Sequence, residues 1–389
     1  MSMANFMQNF NHTKYLTIMK RINLIGYLMI ILSSFLFIQC TSDPIAGPAG
    51  TDGTNGIDGT DGVDGVGVQE CIACHSDTHR DGINDAYLTA KHATGTSWAY
   101  AGTREDCAAC HNNEGFIDYI ETGGVAVGGY NIANPLNCNG CHDKHRSFDF
   151  AEDGNDMAVR TLDAVDFRVF AEDDTLDDYV LDYGNASNLC ANCHQPRTGI
   201  PKADENGKYK NTSTHWGPHH GPQTALLEGL LGAYTTFTIY EAIPAVKEAK
   251  HRTDTGACVD CHMEGTTDGS YGHTWEPALN NCSNCHTTPA DQLEVTGLAD
   301  DMTTLAGLLE QVKGEALDSN NDPISGSEVV GIVHDDHPVK GYFDIKAAEA
   351  AWNYLYILED KSMGIHNPNY AKSIIKNSVA NLQDYLNNQ

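Results

Sequence analysis

One five-residue pattern, Cys-x-x-Cys-His, occurs six times between residues 71 and 286 and constrains this chain more than any other feature. With 13 cysteines and 18 histidines in 389 residues, chance would give the pattern about 0.02 times, from the squared cysteine frequency multiplied by the number of histidines. Twelve of the 13 cysteines therefore belong to one repeated unit. The six copies are Cys71, Cys74 and His75; Cys107, Cys110 and His111; Cys138, Cys141 and His142; Cys190, Cys193 and His194; Cys258, Cys261 and His262; and Cys282, Cys285 and His286.

Zinc binding, redox-active thiols and covalent haem attachment are the three chemistries that could explain this pattern. Cys258, Cys261, Cys282 and Cys285 alone have the spacing of a four-cysteine zinc ribbon, but zinc gives no reason for a histidine after every pair. A redox-active cysteine pair would have no purpose in six copies. Two thiols at this spacing can bond the two vinyl groups of one porphyrin, and the adjacent histidine then coordinates its iron. The motif therefore predicts six c-type haems.

On these motifs the chain resembles the multihaem c-type cytochromes, and the resemblance extends from residue 71 to residue 286. It implies a mainly α-helical fold with much irregular loop, a core filled by haems, and a C-terminal helical segment. The composition agrees with a thin side-chain core, because mean hydropathy is −0.37 and 37 residues are glycine. We expect residues 70–290 to form the six-haem domain.

Each haem iron needs a second axial ligand or an open position. His145 follows its own motif by only three residues, too close to turn round its own porphyrin, so we expect it to bind a neighbouring haem. His251 is chosen for the last position over two open alternatives, His219 and His79, whereas His334 and His337 are expected at the surface. The predicted second ligands are His92, His145, His220, His251, His273 and His366.

Two of these ligands rest on resemblance. The segment YGHTWEP around His273 looks like a distal-ligand stretch of multihaem cytochromes. The segment GIHNPNYAKSI around His366 is similar to the C-terminal region of cytochrome c nitrite reductases and their relatives, where the histidine is an axial ligand. Those enzymes attach their catalytic haem through a Cys-x-x-Cys-Lys motif, and no cysteine pair here precedes a lysine.

The functional expectation is electron transfer through haems that mostly have two histidine ligands. Such haems pass electrons but offer no open iron position to a substrate, so no catalytic residue is predicted. The alternative is a multihaem reductase of nitrite, hydroxylamine or a sulfur oxyanion. Expected partners are redox proteins or other multihaem cytochromes, and self-assembly into a filament stays open.

The N-terminal seventy residues read as a targeting signal followed by a tether. Residues 1–39 resemble a signal peptide whose true start is Met19, because the apolar run from Ile22 to Ile38 follows a short basic flank. Cys40 directly after the run resembles the lipidated cysteine of bacterial lipoproteins; an uncleaved membrane anchor is the alternative. In residues 40–69, glycine recurs at every third position from Gly47 to Gly65, which fits a flexible stalk or a short collagen-like helix, and the stalk is favoured.

These features predict export and an outer-membrane lipoprotein on the cell surface or the periplasmic face. The formal net charge of −30 argues against nucleic acid as a partner, because phosphate binding needs lysine and arginine. Contact with the membrane is expected through the lipid anchor at Cys40.

The last hundred residues, 291–389, contain no cysteine and are expected to be helical while contributing one axial histidine. Apolar periodicity predicts helices over residues 292–316, 344–361 and 368–386. Pro368 suits the first turn of the last helix, where its missing N–H costs no hydrogen bond.

Overall fold

The architecture is given by a computed structural model, which describes residues 68–145, 157–168, 179–263, 271–277, 279–288 and 294–389. The predicted signal peptide, the Cys40 lipidation site and the stalk lie outside these residues. Within them, no helix is both long enough and apolar enough to cross a membrane.

Short helices joined by irregular loops dominate the described chain, so the prediction of a mainly α-helical, loop-rich fold is confirmed. Each motif cysteine pair begins in one of these helices, and in two motifs the second cysteine lies just after the helix ends. The helices are α1 (Val68–His75), α2 (Asp77–Thr89), α3 (Lys91–Thr94), α4 (Ser97–Ala101), α5 (Glu105–His111), α6 (Asn113–Thr122), α7 (Cys138–Cys141), α8 (Ser187–Ala191), α9 (Gln223–Glu228), α10 (Lys250–Thr253), α11 (Cys258–His262), α12 (Leu279–Cys282), α13 (Leu298–Leu309), α14 (Ile345–Asp360) and α15 (Pro368–Asn387).

The strands form small antiparallel pairs: β1 with β2, β3 with β8, β4 with β5, and β6 with β7. The longest pair joins two distant parts of the chain, because Lys208 lies opposite Asp344 and Asn211 opposite Gly341. The strands are β1 (Val165–Asp166), β2 (Val180–Leu181), β3 (Lys208–Asn211), β4 (Lys313–Gly314), β5 (Val329–Val330), β6 (Val333–His334), β7 (His337–Pro338) and β8 (Gly341–Asp344).

The three C-terminal helices differ in how well their observed bounds agree with those predicted from the sequence. Helices α14 and α15 confirm the predicted segments to within a residue, and Pro368 opens α15. The predicted helix over residues 292–316 is wrong at both ends. It begins only after Gly297, whose φ of 81° is incompatible with a helix, and beyond its end Lys313 pairs with Val330 in a strand.

The main apolar core lies between α13, α14 and α15. Its largest fully buried side chains include Trp352, Tyr356, Tyr370 and Phe343. Residues from before the predicted boundary at 290, such as Leu226, belong to the same cluster. The C-terminal helices and part of the motif-bearing chain are therefore held by one shared core.

The described side chains of residues 68–145 form no comparable apolar core. Their buried apolar side chains are five alanines and Phe116, and none of them belongs to the main cluster. Hydrogen bonds hold this region locally, as where the Tyr87 hydroxyl donates to the carbonyl of Leu136 at 2.8 Å. The Asn113 side chain likewise accepts from the backbone N–H of Asn137 and donates to the Asn139 side chain.

Candidate metal centres

Every motif histidine has a second histidine ring opposite it. The two ring centroids are 6.1 to 6.4 Å apart in all six pairs, which we number as sites I to VI in the order of the motifs. The pairs are His75 with His145 (site I), His111 with His219 (site II), His142 with His273 (site III), His194 with His92 (site IV), His262 with His366 (site V) and His286 with His251 (site VI).

This spacing is the one expected when a metal ion lies between two imidazoles. A metal–nitrogen bond of about 2.0 Å on each side, with about 1.1 Å from each bonding nitrogen to its ring centre, separates the centroids by about 6.2 Å. The centroid separation in each of the six pairs is therefore that of a bis-histidine metal site.

Hydrogen bonds at Nδ1 fix the position of the ring proton on several of these histidines. The Nδ1 atoms of His142, His251 and His262 lie 2.8, 2.6 and 2.7 Å from the backbone carbonyl oxygens of residues 157, 365 and 275. A carbonyl oxygen can only accept, so Nδ1 carries the proton and donates it. The lone pair then resides on Nε2, which is the nitrogen left for a metal. His273 makes a similar but longer contact of 3.1 Å to a carbonyl oxygen.

For His194 of site IV and His366 of site V, the group beside Nδ1 is a side chain and not a backbone carbonyl. His194 Nδ1 lies 3.2 Å from Oε1 of Gln223, whose amide nitrogen donates to the backbone carbonyl of Asp360 at 3.2 Å. His366 Nδ1 lies 2.6 Å from Oδ1 of Asp360, and the Asp360 side chain is completely buried. One glutamine therefore links the two sites.

Burial keeps several paired rings neutral. Burial, reinforced by the neighbouring His194 ring, lowers the pKa of His92 to about 4. Burial and then the charge of Arg197 lower the pKa of His219 to about 4. At His366 burial would lower the pKa, but the Asp360 carboxylate outweighs it and raises the pKa. His92 and His219 therefore offer unprotonated nitrogens at neutral pH, as metal ligation requires.

The structure brings five of the six predicted second ligands opposite a motif histidine, namely His92, His145, His251, His273 and His366. The sixth predicted ligand, His220, is not in a pair. The ring opposite His111 is that of His219, the residue before His220. The Nδ1 atom of His220 instead lies 2.6 Å from Oε2 of Glu359. His219 and not His220 is therefore the ring paired with His111, because the side chain of His220 contacts Glu359 instead.

The remaining histidines of the described chain lie outside the six pairs. His79 contacts the Tyr271 ring at 4.2 Å between centroids, and His215 is exposed. His334 and His337 are exposed at the β6–β7 turn, as expected from the sequence.

Sites II, IV and V lie against one another through their cysteines. Cys110 Sγ lies 3.8 Å from the carbonyl oxygen of Asn192 and Cys193 Sγ lies 3.9 Å from that of Ala109, and the Cys258 side chain interacts with that of Cys190. The Ser187 side chain reinforces the second contact, because its hydroxyl donates to the Gly256 carbonyl at 2.6 Å and accepts from the residue after Cys258. Site IV therefore has one neighbour at each of its two cysteines.

Trp275 connects three sites. Its ring centroid is 4.5 Å from that of His92 at site IV and 5.6 Å from that of His273 at site III. Its carbonyl oxygen accepts the Nδ1 hydrogen bond of His262 at site V. Together with the cysteine contacts, this makes site IV the neighbour of sites II, III and V.

Sites I and VI are reached through sites III and V. His142 of site III and His145 of site I are three residues apart in the chain. The carbonyl that accepts from His251 of site VI belongs to Ile365, which directly precedes His366 of site V. The six pairs thus form a continuous series I–III–IV–V–VI, with site II beside site IV.

The cysteines do not gather around a metal of their own. Among the described residues no three or more His, Cys, Asp or Glu side chains are arranged to hold a metal ion. The zinc-ribbon alternative for the last two motifs gains no support from this arrangement.

Sequence reasoning missed three residues that shape these sites. Trp275 lies two residues after His273, in a segment whose sequence signal is the histidine. Gln223 and Asp360 belong to no motif. Their roles depend on which histidines the fold brings together, so only the tertiary structure identifies them.

The chain has no match among known protein families or solved structures. No protein-family model matches it, and no solved structure matches it either. The functional argument therefore rests on the motifs and on the geometry of the six pairs.

Proposed function

We propose that this protein binds six c-type haems covalently and transfers electrons among them. The observation that carries the proposal is that each of the six Cys-x-x-Cys-His histidines lies 6.1 to 6.4 Å from a second histidine ring. In each site the two cysteines would hold the porphyrin and the two histidines would bind its iron.

The residues present fit this cofactor. The two thiols of each motif would form the two thioether bonds to one porphyrin. The neutral rings and donating Nδ1 atoms leave Nε2 lone pairs for a metal. The three porphyrins of the motifs within residues 68–145 would also supply the large apolar groups that this alanine-rich interior lacks.

An electron relay follows from how the sites adjoin one another. When bound, each haem supplies an iron that alternates between the ferric and ferrous states. The chain keeps neighbouring sites close, through the Cys110–Cys193 and Cys190–Cys258 contacts and through Trp275. Site IV would be a junction, with routes towards sites II, III and V.

A relay is favoured over a reductase because every motif histidine has a histidine partner. A reductase needs an iron with an open position for its substrate, and six complete pairs leave none. The deciding experiment is the EPR spectrum of the oxidised, haem-loaded protein. We expect six low-spin ferric haems whose signals do not change when nitrite or hydroxylamine is added. One-sixth of the iron in a high-spin state that responds to either molecule would identify a reductase instead.

Gly272 provides a test of site III. Its φ is 75°, and a Cβ atom there would come within 2.4 Å of the Met263 Cα atom. Gly272→Ala should therefore displace the segment that holds His273 and convert about one-sixth of the haem to high-spin, as read by EPR. Gly297→Ala is the matched control, because its φ of 81° is similar but nothing lies within 4 Å of the added atom. Both variants carry the strain of a left-handed alanine, about 1–2 kcal/mol.

A low-spin Gly272→Ala spectrum, indistinguishable from that of Gly297→Ala, would contradict the assignment of His273 to site III. Loss of low-spin signal in both variants to the same extent would also contradict it, since the strain alone would then be responsible.

The cellular setting is part of the proposal and rests on the sequence. An N-terminal signal, a lipidated Cys40 and the glycine-rich stalk would attach the haem-binding part to the outer membrane. Redox proteins or other multihaem cytochromes would then exchange electrons with it. Labelling with a lipid precursor tests this directly, because Cys40→Ser should abolish incorporation.

A further inference from the structure

Six of the paired histidines, all at sites III to VI, have an acceptor at Nδ1, and these acceptors differ in charge. For His142, His251, His262 and His273 the acceptor is a neutral backbone carbonyl, and for His194 it is the neutral amide of a glutamine. For His366 of site V it is a carboxylate, that of Asp360, at 2.6 Å.

The Asp360 carboxylate is built into the fold. Asp360 is the last residue of α14, and its side chain has no exposure to solvent. Its Oδ2 atom accepts from the Ser362 hydroxyl and, at 3.2 Å, from the Ser362 backbone N–H, while Oδ1 faces His366. Its backbone carbonyl is held by Gln223. The carboxylate is thus fixed in a place where water cannot screen its charge.

We propose that Asp360 lowers the reduction potential of the site V haem by drawing the Nδ1 proton of His366 towards its buried negative charge. This proposal rests on the proposed function, because it requires iron between His262 and His366. A carboxylate that accepts from a ligating imidazole makes that imidazole a stronger donor, and a stronger donor stabilises ferric over ferrous iron. The neutral acceptors at the other five of these histidines exert a weaker pull. Asp360 acts through His366 and is a positioning residue.

The position of site V gives this effect a consequence. Site V lies between sites IV and VI, so an electron that moves between them passes through it. A lowered potential makes electron transfer onto site V less favourable. Site V is then reduced later than it would be with a neutral acceptor at Nδ1 of His366. Electrons would then be held on sites I to IV, or on site VI, until the supply of reductant is strong enough to reduce site V.

Asp360→Asn in the full haem-loaded protein tests the proposal. Asparagine has the same shape and still accepts the Nδ1 hydrogen bond through its amide oxygen, but it has no charge. In a redox titration followed by EPR, one of the six low-spin signals should move to a higher potential while the other five stay. The matched control is Asp384→Asn, which removes the same charge from an exposed side chain hydrogen-bonded to Tyr240. It should leave all six potentials unchanged.

Ser362→Ala provides a second variant with the opposite sign. It removes a hydrogen bond that disperses the carboxylate charge, so the same EPR signal should move to a lower potential. Unchanged potentials in both variants, or equal shifts in Asp360→Asn and Asp384→Asn, would overturn the proposal. Failure of the proposed function looks different, because the unmodified protein would then lack six low-spin haems altogether.

Discussion

Without haem, residues 68–145 should lose their structure while the C-terminal helices keep theirs. Ordering each residue costs about 1–2 kcal/mol of backbone entropy, and burying a large apolar side chain returns about 1.5–3 kcal/mol. In residues 68–145 the described buried apolar side chains are alanines and Phe116, so little offsets that cost. Helices α13 to α15 instead bury Trp352, Tyr356 and many leucines.

The comparison uses the same chain produced with and without haem attachment, followed by hydrogen exchange and limited proteolysis with mass spectrometry. In the haem-free chain, amides of residues 68–145 should exchange as fast as in an unfolded peptide, and cleavage should concentrate there. Amides within Leu298–Leu309 and Pro368–Asn387 should stay protected. Equal protection of both regions in the haem-free chain would show that side chains alone fold the motif-bearing part.

Adjacent histidines should behave very differently when they are replaced one at a time. His219→Ala removes the ring opposite His111 and should convert one-sixth of the haem from low-spin to high-spin. His220→Ala removes a ring that contacts Glu359 instead, so all six haems should stay low-spin. EPR of the two oxidised proteins, prepared in parallel, makes the measurement.

Each of these two variants is the control for the other, because the residues are neighbours and the substitution is identical. The reverse result, with high-spin haem only in His220→Ala, would assign the ligand to His220. Fully low-spin spectra for both would contradict the pairing at site II. External imidazole should restore the low-spin signal of His219→Ala by filling the open iron position.

The motif-bearing residues could be predicted from the sequence because their roles depend only on local spacing. Two thiols three residues apart and the next histidine form one unit whatever the rest of the chain does. The C-terminal helices were predictable for a similar reason, since apolar periodicity and Pro368 act locally. The predicted helix at residues 292–316 failed where Gly297 takes a left-handed conformation, which periodicity does not reveal.

The second ligands depend on the tertiary structure. His92 and His194 are far apart in the chain and meet only in the folded protein. His219 and His220 are equivalent by sequence, and the contact with Glu359 on α14 separates them. Asp360 carries no sequence signal at all, because its importance lies in facing His366.

The most direct test of the account is the number of haems bound covalently to each chain. A pyridine haemochrome assay against protein concentration, checked by the mass of the intact denatured chain, gives that number. Covalent attachment at all six motifs predicts six haems that remain attached after denaturation. A chain without covalent haem after export in a host able to attach it, or one that binds zinc through its cysteines, would contradict the proposed function.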